Sequence, residues 1–227
     1  MTLLAHDEDR ALVDGAVPQE LTVAFGDVAA PVGAEPVVRF ASQAAAPGDL
    51  LVALHGEGLW RRAPWPAADT LFAAPAPPDG AAVLVVHPDE ERRRDMGGKL
   101  TAHDLSATLT DRPLVDELLS AAVVLFLDDG AFPSQAPSAC AAARMVVVQR
   151  PAPLFGFQDG VDCFVADDDR AVLLAQAAAR APQAFAAVGA MARVTASVHR
   201  ASAVYDRLAL DLSVGLGRDP RRPCTRA

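Results

Sequence analysis

Two adjacent carboxylates, Asp128 and Asp129, close the apolar run Val123–Leu127, and two hydroxyls, Ser134 and Ser138, follow in a Ser/Pro-rich loop. Carboxylates at such a place can hold hydroxyl groups or move protons. A loop that opens a helix, with Pro137 near its start, can offer backbone amides to an anion. A basic set lies upstream: Arg92, Arg93, Arg94 and Lys99, the only lysine of the chain. The arginines either grip a diphosphate or form a solvated face paired with Asp89, Glu90 and Glu91 at helical spacing. His55 and His87 each end an apolar run, as a general base, a diphosphate contact or a plain loop or core histidine would. His103 and His199 carry no signal. Two glycines, Gly56 and Gly58, follow the run Leu50–Leu54, but the third glycine of a dinucleotide phosphate loop is missing.

The elements that must position these residues are runs of buried apolar type. Leu21–Phe25, Leu50–Leu54, Ala82–Val86, Val123–Leu127 and Met145–Val148 show little alternation, as strands of a parallel sheet covered on both faces do. Thr70–Ala74, Leu105–Leu109 and Asp162–Ala166 read as further strands, and Val37–Ala46 as a short helix. A charged helix is expected over Asp89–Lys99, ended by Gly97-Gly98. Helices are also expected after Pro113, over Arg170–Arg180 behind the cap Asp167–Asp169, and from Pro182 to about Leu212. Alternation of strands and helices predicts an α/β, doubly wound, mostly parallel Rossmann-like sheet. In such sheets ligands lie beyond the carboxyl ends of the strands, which is where Asp128, Asp129, Ser134 and Ser138 fall. The expected organisation is an N-terminal segment (1–20), a reduced α/β part (21–80), a Rossmann-like domain (81–213) and a disordered tail (214–227).

Composition narrows the partners. The 227 residues carry 29 acids against 20 bases, a net charge of −9, which argues against a sheath of nucleic acid or anionic lipid. Aromatic residues make up 5%, too few to suggest a base-stacking platform. Cys140, Cys163 and Cys224 show no metal spacing and read as small buried hydrophobes in a reducing cytoplasm. The start MTLLAHDEDR reads as neither a signal peptide nor a membrane anchor, so a cytoplasmic protein is expected. Abundant Ala and Arg with a single Lys point to a GC-rich bacterial genome. Trp60 and Trp65 flank Arg61 and Arg62, as an acceptor lip, a protein contact or packing over a sheet edge would require.

From Ala82 to Leu212 the chain resembles the C-terminal, nucleotide-sugar-binding domain of group-1 GT-B glycosyltransferases. Val115–Leu127 is similar to the helix and strand that precede the family's "PS", which matches Pro133-Ser134. Ala139–Val148 (ACAAARMVVV) is similar to "EAMACGxPVV", and Phe157–Ala166 (FQDGVDCFVA) to "dgvdGllv". The resemblance implies half of a GT-B fold with a reduced N-terminal part. It also implies metal-independent transfer of a sugar from a nucleotide-diphosphate donor, with the donor as substrate and no cofactor. Asp128 or Asp129 would then serve in place of the family's glutamates, whose positions fall on Gly130 and Ser138. Amides and side chains at Ser134, Gln135, Ser138 and Ala139, with Arg94 and Lys99, would hold the diphosphate. The family glycine falls on Ala143 and its proline on Met145.

Three readings remain open at this level. One is a small glycosyltransferase, its acceptor recognised by the reduced lobe or by a protein partner. Another is a non-catalytic Rossmann-like binding or interaction module of glycosyltransferase origin. The last takes Leu125–Gly130 (LFLDDG) as the acidic metal motif of the GT-A fold.

Overall fold

The computed structural model describes residues 2–18, 21–31, 37–41, 49–53, 58–77, 80, 82–127, 133–149 and 154–215. It forms two compact units, Met1–Asp69 with Val198–Ala227, and Thr70–Ser197.

The first unit carries β1 (Thr2–Leu4), α1 (Asp7–Val13), β2 (Thr22–Phe25), β3 (Val37–Phe40), β4 (Leu50–Ala53) and β5 (Arg61–Arg62). The strands pair in that order and all in parallel. Residues 1–20 thus contribute an edge strand and a helix to the sheet. The helix expected from Val37 is instead β3. Its adjacent β-branched valines favour the pleated backbone over the helix, and all four β3 residues are buried. Phe25 and Phe40 stack across neighbouring strands at 4.9 Å, and Trp65 meets Phe25 edge-on at 5.4 Å. Trp65, half-buried, thus packs on the sheet through Phe25, while Trp60 lies under the Arg61 guanidinium at 5.2 Å. The buried Arg39 donates to Asp49 at 2.6 Å and to the carbonyls of Gly26 and Val28.

Of Thr70–Ala74, expected as a strand, the first four residues belong to a 3-10 helix over Asp69–Ala73. The second unit then runs β6 (Ala82–Val86), α2 (Glu90–Thr101), β7 (Ala107–Thr110), α3 (Val115–Ser120), β8 (Ala121–Phe126), α4 (Ala136–Ala141), β9 (Met145–Val148), β10 (Phe164–Val165), α5 (Asp168–Arg180) and α6 (Pro182–Ala196). Its sheet has the order β10-β9-β8-β6-β7, all parallel. This is the doubly wound α/β arrangement the sequence predicts. The strand order reverses beside β6, and ligands of such sheets lie near that reversal, beyond the carboxyl ends.

Strand residues alternate between two covered faces. Val83, Val85, Val123, Leu125, Met145 and Val147 pack with Met96 and Leu100 of α2 and with Ala171, Val172 and Ala175 of α5. Helices α3, α4 and α6 contact the sheet as well, and α4 packs on α6. Gly97-Gly98 does not end α2, which continues to Thr101. A Cβ on Gly97 would stand 3.2 Å from Leu109 Cδ2, so this glycine allows α2 to lie close on β7.

Two arginines, one buried and one half-buried, bind carbonyls inside this unit. Arg144, fully buried, donates to Leu118, Leu119 and Pro75 oxygens at 2.8, 2.9 and 3.2 Å. Arg193 donates to Ala141 and Ala74 oxygens at 2.9 and 2.7 Å.

The long helix expected from Pro182 to Leu212 is broken at Ser197–His199, a 3-10 turn. Beyond it the chain returns to the first unit as α7 (Ala201–Gly215). There the Tyr205 hydroxyl donates to Val13 O at 2.6 Å. The stretch 198–213, expected with the second domain, therefore packs with the first, because Tyr205 and Ala201 are buried against it.

Candidate functional site

The carboxyl ends of β9 and β10 and the facing turns of α2 and α5 enclose a cavity of about 450 Å³. Arg92, Lys99, Gln149, Ala166, Asp167, Asp168 and Asp169 line it.

Local rules put each side chain there. Asp89 caps α2 and accepts from the Arg92 amide at 2.9 Å, an interaction that also lowers its carboxyl pKa. Consecutive helical residues point about 100° apart, so the three arginines diverge. Arg92 faces the cavity, Arg93 binds the carbonyls of His87 and Pro88, and Arg94 pairs with exposed Glu90 at 2.5 Å. Lys99 stands seven residues beyond Arg92, two turns along the same face. Gln149, buried, directly follows β9. Asp167 caps α5 by accepting from the Arg170 amide at 2.9 Å, and Asp168 opens the first turn.

These side chains converge on the Asp168 carboxylate. Arg92 grips it with two nitrogens, Nη1 to Oδ2 at 2.8 Å and Nη2 to Oδ1 at 2.5 Å. Lys99 Nζ donates to Oδ2 at 2.6 Å, and Gln149 Nε2 donates to Oδ1. Gln149 Oε1 in turn accepts from Arg92 Nη2 at 3.3 Å. The Arg92 hydrogen bonds, reinforced by Lys99, hold the Asp168 carboxyl well below the usual carboxylate range. Reciprocally, the hydrogen bond to Asp168 raises the Lys99 ammonium pKa. Asp95 adds a carboxylate 3.2 Å from Lys99 and 3.5 Å from Arg92. With Asp167 and Asp169 on the lining, two cations face four carboxylates, so the cavity is acidic on balance.

The residues singled out in the sequence are distributed otherwise. Of the expected diphosphate contacts only Lys99 lines the cavity. Arg94 points to solvent; its neighbour Arg92 occupies the place. Ser134 and Gln135 are half-buried before α4, and Ser138 is buried within it. Of the amides expected to cradle a diphosphate, those of Ser138 and Ala139 are bonded within their own turn, as is that of Ala136. Ala136 N donates to Pro133 O at 3.1 Å, Ser138 N to Gln135 O at 3.0 Å, and Ala139 N to Gln135 O at 3.4 Å. Pro137 has no amide hydrogen to give. Asp128 and Asp129 lie outside the described residues, as do His55 and Cys224. His87 accepts from the Asp89 amide at 3.0 Å, as a residue of the turn into α2 does. Among the described residues no three His, Cys, Asp or Glu side chains are grouped to hold a metal.

The stretch similar to "dgvd" is a structural turn. Asp159 accepts from Val165 N at 2.8 Å, and buried Asp162 accepts from Gln158 N and Thr195 Oγ1 at 2.6 and 2.7 Å. Ala143, aligned with a family glycine, has φ of 56°, the left-handed region glycine favours. Burial pushes both the Cys140 and Cys163 thiols up, Cys163 to about 12. No single helix among the described residues is long and apolar enough to cross a membrane.

No family model matches the chain. No curated protein matches it either. One similar solved structure is the pneumococcal O-GlcNAc transferase GtfA in complex with UDP and GlcNAc, 11% identical with a TM-score of 0.47. The match covers 64% of this chain and 38% of that one, so the chain spans well under half of its length.

Proposed function

We propose that this chain is a glycosyltransferase-like α/β module that serves interaction rather than sugar transfer. One observation carries the reading: the carboxylate of Asp168 sits between Arg92 and Lys99, where a transferase would need cations open to a diphosphate. Negative charge builds on the leaving phosphate during glycosyl transfer, and without a metal it must meet unspent positive charge or amides. Here the cations are neutralised from within, the surroundings are acidic, and the amides around Ser138 are bonded in their own turn.

The test is a thermal-shift titration of the full chain with UDP, GDP and their sugar conjugates, with and without Mg²⁺. A ligand of the folded state at about 100 times its dissociation constant adds roughly 2.7 kcal/mol, which raises the midpoint visibly. The wild-type midpoint is expected to stay in place across the panel. Asp168→Ala, which uncovers Arg92 and Lys99, is expected to respond to pyrophosphate. A metal-independent rise in the wild type with one nucleoside diphosphate, lost in Lys99→Ala, overturns the reading and returns the chain to the transferases.

A further inference from the structure

We draw no further inference here: the strongest candidate, the cleft of about 320 Å³ that Ala102 and His103, just past α2, form with Val172 and Leu173 of α5, shares Lys99 and Asp169 with the site already described, and nothing in the structure shows what covers it.

Discussion

Replacing Asp168 with Asn keeps the shape of the side chain and removes its charge. The wild-type carboxylate accepts from three side chains, one of them in a two-pronged grip. Asp168 is 20% exposed, Arg92 27% and Lys99 37%, so the cluster lies between a surface ion pair and a buried one. Surface pairs contribute about 0–1 kcal/mol, and breaking a buried pair costs about 3–5 kcal/mol. The Lys99 share is discounted for its exposure, leaving the Arg92 fork dominant and a loss of about 2 kcal/mol. For a chain of this size that lowers the melting midpoint by roughly 4–8 °C. The pH dependence follows from the depressed carboxyl pKa. The contribution is fully present above the ordinary carboxylate value of 3.8 and is lost as pH falls below it toward the folded value. Wild type and variant, compared by urea denaturation, should therefore differ by a constant amount from about pH 5 to 8 and converge below about pH 3.8. Equal stability at pH 7 would refute the assignment, and so would a gap that does not narrow in acid.

Arg144→Ala leaves the Leu118, Leu119 and Pro75 carbonyls without their buried donor and opens a cavity, a loss of about 3 kcal/mol or more, measurable by chemical denaturation. Gly189→Ala gains up to about 1 kcal/mol of helix propensity yet presses a methyl into the Ala143 carbonyl, so a net loss of about 1–2 kcal/mol is expected in the same assay. Ala143→Gly relieves the left-handed backbone and should be neutral to stabilising by about 1 kcal/mol. Burial shields Cys140 and Cys163 and raises their thiol pKa values. Peptide mapping after alkylation at pH 8 should find both unmodified in the folded chain and labelled in urea.

Much of the second unit was legible because its signals are local. Val83–Val86, Val123–Phe126 and Met145–Val148 are short apolar runs of the kind a sheet covered on both sides buries, and they pair in parallel, as the expected fold class requires. Asp167 was readable as a cap because capping acts across three residues. Gly97-Gly98 misled because a helix stop and a close helix–strand contact call for the same residue, and only the fold places Leu109 beneath it. Val37–Ala46 misled because its alanines outvoted its two valines. The cavity was half legible. Arg92, Asp95 and Lys99 share a helical face at spacings of three and seven, which could have been read in advance. Asp168 and Gln149 could not, since they join that face across 76 and 57 residues of chain. Asp168 also sits beside two other aspartates that look equivalent on paper.

The two units are not consecutive along the chain: the second is spliced into the first between Asp69 and Val198. Arg193, four residues before its last residue, hydrogen-bonds the carbonyl of Ala74, four residues after its first. The insert is thus closed on itself near its own seam, by a bond that does not involve the host. A guest domain whose ends already meet imposes little loop-closure penalty on the domain that carries it. Length changes at that seam are therefore expected to cost the host little, since its five parallel strands pair only with one another.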